Sequence, residues 1–494
     1  MSLAATARGS ESPDIVGALI RLLALPAVGV VGFGIAVAAG LPRDRLPLLG
    51  VTVLLMIAVL SFVAVDRMRP RERRNLLLSI FSFTYLVFFV VPVFVFYLGA
   101  SVYDPLASPN PNPLTPETVT WGVIAALVGY VMLVAGNLLP VGGALARFLP
   151  QMRREWSYQT SLVIAVVIIP VGWVVRLIAE FGLMPDRAGS GALGAVSMFT
   201  SFGIALLTLC YVRHRSRGAL TLMFLLIPPS VVFGFFTGSK SEALLPVVMI
   251  ALVHVVVSRR LRAWWVAAFL LVMAFFYPIS EVYRTYAWGR GLSAVDVIAS
   301  PDRAIKLIER FNKATTLGEH IGLGLEATSH RLNGLGILST IVRDAGNRVP
   351  FQGGWSLVYV PASYIPRVLW PEKPKFMTGQ WVTDNFGSGP EVQSSTGPTW
   401  IGELYFNFGW PGVVIGMMFL GVWFRFLQEF FLGANPTTPS LLAGVITVAG
   451  TGIGVTGDGL TAINSVVFNV TPVLLLHLLV CAFTPAPRPV SHPS

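Results

Sequence analysis

The stretch LPLLGVTVLLMIAVLSFVAVDRMRPRERR, Leu46–Arg74, decides the fold class. Its first twenty residues are apolar apart from Thr52 and Ser61. As a helix they are long enough to cross a hydrocarbon core of about 30 Å. Arg67, Arg69, Arg71, Arg73 and Arg74 follow at once. Arginine flanking a membrane helix stays on the cytoplasmic side because it is hard to translocate. The stretch therefore predicts a membrane helix that ends inside.

The same pairing of apolar run and arginine cluster recurs along the chain. Spans are predicted at 15–40, 46–65, 76–100, 117–140, 158–181, 193–212, 219–236, 243–258, 264–280, 409–427, 438–457 and 463–483. The fourth loop holds Arg147, Arg153 and Arg154, the sixth Arg213, Arg215 and Arg217, and the eighth Arg259, Arg260 and Arg262. With the second loop that makes fourteen arginines, whereas the short odd loops hold only Arg43, Arg45, Arg187 and Lys240. Even loops, and both termini, are therefore expected inside. The opening MSLAATARGSESPD, Met1–Asp14, is polar, and the first apolar run is too long for a cleaved leader.

Composition agrees. The 494 residues are 54% hydrophobic and only 12% charged, against about 25% charged in soluble domains. The net charge of +11 is read as topological signal. Nucleic-acid binding is excluded because no basic soluble unit exists to host it. Cys210 and Cys481 both fall in apolar runs and are read as packing residues.

The longest hydrophilic stretch, 281–408, is the ninth loop and lies outside on this count. The expected organisation is helices 1–9 over 1–280, a partly helical, membrane-associated external domain over 281–408, helices 10–12 over 409–483, and a cytoplasmic tail over 484–494. Within the insert, Asp302–Asn312, Leu317–Leu332 and Leu335–Val342 have helical patterns. ASYIPRVLWPEKPKF, Ala362–Phe376, mixes aromatic and cationic residues as an interfacial segment would.

Three stretches carry a family resemblance: IPRVLWPEKP (Ile365–Pro374), TGPTWIGELYFNFGWPGVVIGMMFLG (Thr396–Gly421) and TGSKSEALLPVV (Thr237–Val248). Together with the single late external loop, they resemble the O-antigen polymerase family. The resemblance implies an all-α polytopic membrane protein of about twelve helices, similar to C-type glycosyltransferases and related in architecture to O-antigen ligases. It implies a bacterial cytoplasmic-membrane enzyme that moves a growing glycan from undecaprenyl pyrophosphate onto a sugar hydroxyl of the next lipid-linked unit. Its partners would be that lipid-linked oligosaccharide, the bilayer and a chain-length regulator. No cofactor and no metal are expected. A ligase and a polysaccharide flippase are the alternative readings. The family's loops carry arginines, whereas this chain has Lys240 at the first such position.

The chemistry needs cations for the departing diphosphate, because fixed positive groups in a water-poor site stabilise charge that grows on the leaving oxygen. Arg284, among Tyr283 and Tyr286, and Arg367 are the candidate catalytic cations. Lys240, Lys373 and Lys375 are candidate substrate-binding cations. The acceptor hydroxyl needs a proton acceptor. Glu403, in WIGELYFNFGW, is the first choice, with Tyr405 beside it as a sugar contact. His330, also a substrate-binding candidate, and His320 are the runners-up as base, and Asp384 and Asp458 are weaker still. Trp288, Trp355, Trp370, Trp381 and Trp400 are available to stack on sugar faces. Arg176, inside a span, is expected to pair with Glu180 one turn on.

Overall fold

The computed structural model describes residues 42–98, 114–180, 196–236, 240–259, 334–365, 378–387, 396–452 and 459–483, with isolated positions between them. The predicted spans 15–40 and 264–280 and the helices at Asp302–Asn312 and Leu317–Leu332 lie outside the described residues.

The described residues form helices and no strand ladder. In chain order these are α1 Leu46–Met68, α2 Leu76–Tyr85, α3 Pro116–Leu138, α4 Pro140–Phe148, α5 Tyr158–Glu180, α6 Phe199–His214, α7 Arg217–Phe236 and α8 Lys240–Ser258. Then come α9 Gly334–Asp344, α10 Trp355–Ser363, α11 Thr378–Phe386, α12 Trp400–Leu432, α13 Thr438–Thr447 and α14 Gly459–Phe483. α2 runs on through wide π-helical turns at Leu86–Val90 and Val93–Tyr97, and α13 through another at Val448–Gly452. Six helical stretches are long and apolar enough to cross a membrane: Arg43–Met68, Pro116–Leu138, Tyr158–Ile178, Arg217–Phe235, Trp400–Leu432 and Ala462–Phe483. Three further apolar stretches, Leu76–Val90, Ala243–Ser258 and Thr438–Thr451, are shorter.

The centre of the bundle is the pair α3 and α12. Gly122, Gly129 and Gly136 stand seven residues apart on α3, so all three lie on one face. A side chain at Gly122 would strike Ser339 of α9, one at Gly129 would crowd Ile401 of α12, and one at Gly136 would strike the Met418 carbonyl. Gly421 answers from α12, where a side chain would strike the Leu133 carbonyl. Small residues let helices in a lipid-like environment approach to backbone contact, where van der Waals packing replaces the missing hydrophobic drive. One more polar tie crosses the same contact. Asn137 receives a hydrogen bond from Asn75 at 2.5 Å and donates to the Gly421 carbonyl at 3.3 Å.

The stretch expected to form the external insert enters this core. Leu335, Leu338 and Ile341 of α9 are fully buried, and α9 packs on both α3 and α12. Each such side chain is worth roughly 1.5–3 kcal/mol relative to water, which ties the insert firmly to the bundle.

The even-numbered loops meet at one end. Arg259 donates to the Glu72 carbonyl at 2.8 Å and to the Leu432 and Gly433 carbonyls that close α12. Arg213 donates to Glu155 at 3.0 Å, to the Thr438 hydroxyl at 2.7 Å and to the Pro436 carbonyl at 2.8 Å. Arg154 donates to the Cys481 carbonyl at 3.0 Å, near the end of α14. Arg74 donates to the Arg67 and Arg69 carbonyls at the end of α1. The last carbonyls of a helix lack intrahelical donors and carry partial negative charge. These arginines satisfy them, a structural task beyond the topological one read from sequence. Arg176 is buried within α5, and its Nε donates to the Ser197 carbonyl at 3.0 Å. The side chain of its expected partner Glu180 lies outside the described residues.

Two outcomes test this packing. Gly421→Val should separate α3 from α12 and destabilise the protein by about 1–3 kcal/mol or more, read as a lower unfolding temperature in detergent. An unchanged temperature would refute the close contact. The second concerns Glu155. Partial burial pushes its carboxyl up, but hydrogen bonds from Thr438 and the Arg213 guanidinium outweigh this and hold it below its ordinary 4.5. A depressed carboxyl contributes stability above its unfolded value, lost as pH falls through the folded one. Glu155→Gln should therefore cost a little stability at pH 7, under about 1 kcal/mol for so exposed a pair. The difference from the parent should vanish once acid has neutralised Glu155, as thermal unfolding across pH will reveal.

Candidate active site

α12 begins in a buried corner. Thr399 takes a positive φ of 65°, and its hydroxyl accepts from the Gly402 amide at 3.0 Å, a side-chain cap for the helix start. Glu403 then falls in the first turn, 1% exposed. A carboxylate there lies on the positive end of the helix dipole. Burial of an acid this complete is unusual, and in this chain Asp66 and Asp344 share it. Along the same face lie Trp400, Phe406 and Asn407, at spacings of three and four residues.

The helix breaks at Gly409, whose φ 63° and ψ −148° suit glycine alone. The break has a local cause. In a continuous helix the Asn407 carbonyl would accept from residue 411, which is proline and has no N–H. Instead the Gly353 amide donates to it at 3.0 Å, and the Gln352 amide donates to the Phe406 carbonyl at 3.0 Å. The Asn407 side chain completes the joint. Its Oδ1 accepts from the Gly354 amide at 3.1 Å, and its Nδ2 donates to Ser356 Oγ at 2.8 Å and to the Glu403 carbonyl at 2.9 Å. Phe351 wedges between Gly346 and Gly409.

Aromatic rings wall this region. Trp381 packs on Phe406 at 5.0 Å, Trp355 at 5.4 Å and Phe386 at 5.6 Å between ring centres. Trp400 packs on Phe81 and Phe424. Tyr405 takes the other side of α12, against Trp410 at 5.5 Å and Phe351 at 6.3 Å. Two residues on from Glu403 is about 200° around the helix, so Tyr405 does not share its face.

The cations fare unevenly. Lys373 Nζ donates to the Ile365 carbonyl at 3.1 Å, folding back on its own loop. Lys240 opens α8, but its side chain lies outside the described residues. Arg284, Arg367, Lys375, His330, His320 and Asp458 lie outside them entirely. Asp384 accepts from Gln380 at 2.7 Å within α11.

Sequence reading missed two groups. Asn407 and Ser356 back the Glu403 turn, and the signal for them was Pro411 four residues after Asn407. The second group is Arg343, Asp344 and Arg348. Asp344 is buried; Arg343 meets it with two bonds, at 2.8 and 3.0 Å, and Arg348 reaches it at 3.3 Å. Two guanidinium groups thus converge on one buried carboxylate. The turn that follows, with Gly346 and Phe351, docks on the α12 break. The i,i+4 spacing of Asp344 and Arg348 was legible.

Residues 123–430 match the profile of a family described as a domain of unknown function, DUF8712, and the chain belongs to that family. No curated protein and no solved structure matches the chain. The matched stretch includes Glu403, Asn407, Ser356 and the Arg343–Asp344–Arg348 group.

Asn407→Ala should cost about 1–3 kcal/mol by stranding buried partners. Amide hydrogen exchange at 352–356 should speed up while α13 keeps its protection. Unaltered exchange at 352–356 would show that Asn407 does not hold the joint.

Proposed function

We propose that this DUF8712 protein is a membrane glycosyltransferase that lengthens a lipid-linked oligosaccharide at the outer membrane face. The observation that carries the reading is Glu403: a fully buried carboxylate at a helix start, inside an aromatic-walled corner, in the stretch that most resembles O-antigen polymerases. The family membership neither adds to nor limits this chemistry.

In the proposed reaction an acceptor sugar hydroxyl attacks the anomeric carbon of the donor glycan. Glu403 takes the hydroxyl proton as the new glycosidic bond forms. The bond from the anomeric carbon to the lipid diphosphate breaks, and the electron pair leaves with the diphosphate oxygen. Arg284, Arg367 and Lys240 are proposed to neutralise that oxygen, with Lys373 and Lys375 on the diphosphate approach. Within the same insert Arg343 and Arg348 both reach the buried Asp344, so guanidinium groups already form part of its packed portion. Trp355 and Trp381 offer flat apolar faces of the kind sugars stack on. The convergence of the even loops at one end supports the inside-outside assignment, with the insert at the opposite end.

The test is elongation by purified protein in vesicles supplied with undecaprenyl-pyrophosphate-linked repeat units. Glu403→Gln should slow elongation roughly 100-fold or more while protein levels and folding are retained, and Glu403→Asp should recover part of the rate. Arg284→Ala, Arg367→Ala and Lys240→Ala should each shorten the product. Full-length polymer from Glu403→Gln would remove the carboxylate from the mechanism. Lipid movement without elongation by the parent protein would identify a flippase instead.

A further inference from the structure

α4 is a short helix at the arginine-rich end whose two faces differ sharply. Gly142, Gly143 and Ala146 are buried. A side chain at Gly142 would strike the Val422 carbonyl and crowd Arg425 and Phe426, and Gly143 faces Arg425 and Glu429. The helix therefore lies across α12 in the turns just before Leu432. The opposite face carries Val141, Leu145 and Phe148, which are 57%, 44% and 86% exposed. Leu138, Leu139 and Leu149 extend that apolar surface at both ends.

Charge surrounds the apolar face and is of one sign. Arg147 and Arg153 are exposed. The nearby acids are engaged: Glu155 by Arg213 at 3.0 Å, and Glu429 by Arg425 at 2.7 Å. The Arg147 and Arg425 guanidinium groups both border the notch at Gly143. A short helix with an exposed apolar face and cationic edges fits the boundary between acyl chains and anionic headgroups. A helix crossing vertically would not need arginines at the margin of its apolar side.

We propose that α4 lies in the plane of the inner membrane interface and holds an acidic phospholipid. The phosphate would sit at Arg147 and Arg153, and the acyl chains against Val141, Leu145 and Phe148. Each arginine near an anionic leaflet adds electrostatic attraction, and a lipid bound only to the folded protein raises its stability by linkage. The proposal does not depend on the glycosyltransferase reading, because it concerns the opposite end of the bundle.

Full-length protein would be placed in nanodiscs of phosphatidylcholine alone or with added phosphatidylglycerol. The acidic lipid should raise the unfolding temperature by about 3 °C or more. The rise should fall below half in the Arg147→Gln, Arg153→Gln double variant. Equal unfolding temperatures in both lipids, or an undiminished rise in the double variant, would overturn the proposal, as would the same rise from inorganic phosphate in phosphatidylcholine. Position is read separately from a nitroxide at Phe148→Cys in a Cys210→Ala, Cys481→Ala background, since both native cysteines are free. Collision with oxygen but not with an aqueous nickel chelate places the residue in lipid. Collision with the chelate places it in water and overturns the proposal. Shielding from both, with cross-linked dimers, assigns the face to a second copy and also overturns it.

Discussion

The structure depends on the backbone contact between α3 and α12. Glycines at 122, 129 and 136 give α3 a smooth face, and Gly421 gives α12 its counterpart. Every other feature uses that contact as its reference. α9 seats on α3 at Gly122 through Ser339, Asn137 joins α2 and α12 across it, and α4 continues from it over the end of α12. In a bilayer, lipid tails solvate leucine as well as neighbouring leucines do, so close fit rather than greasiness holds such a pair. A single added methyl group has nowhere to go.

The arginine clusters illustrate how one composition serves two ends. Their placement next to apolar runs directs insertion. Once the helices are assembled, the same guanidinium groups lie beside carbonyls that helix geometry leaves unsatisfied. Arg259 reaches two connections at once, the Arg71–Arg73 turn and the end of α12. Ion pairs at an exposed face are individually weak, but hydrogen bonds from a charged donor to buried or half-buried carbonyls are stronger. The loops are held as a set.

Much of the helical scaffold was legible in the sequence, because apolar length is a direct reading of what lipid demands. The ends of α1, α3, α5, α7 and α14 fall within a few residues of the expected spans. What the sequence hid is where local rules compete. The reading began the tenth span at 409, where the structure does break α12 at Gly409, but it missed the separate helical turns from Trp400, which Thr399 caps and the aromatic corner buries. The insert's α9 had the expected helical period, but periodicity cannot tell a membrane-leaning helix from one seated between α3 and α12. Glu403 stood out in the sequence as an acid among aromatics. Its support, Asn407 and Ser356, did not, since they act through backbone amides fifty residues away. The glycine stripe was also present to be read, at a strict interval of seven, but such an interval has meaning only once its partner surface is known.

The break at Gly409 has one more implication. The turns before it are bolted to the 352–356 segment through three amides and a side chain, and across it the chain folds back, so that Trp400 packs on Phe424 and Leu404 lies against Gly412 and Gly416. Mechanically, the opening turns of α12 are clamped between the 352–356 segment and the longer arm that follows, rather than forming the top of one straight rod.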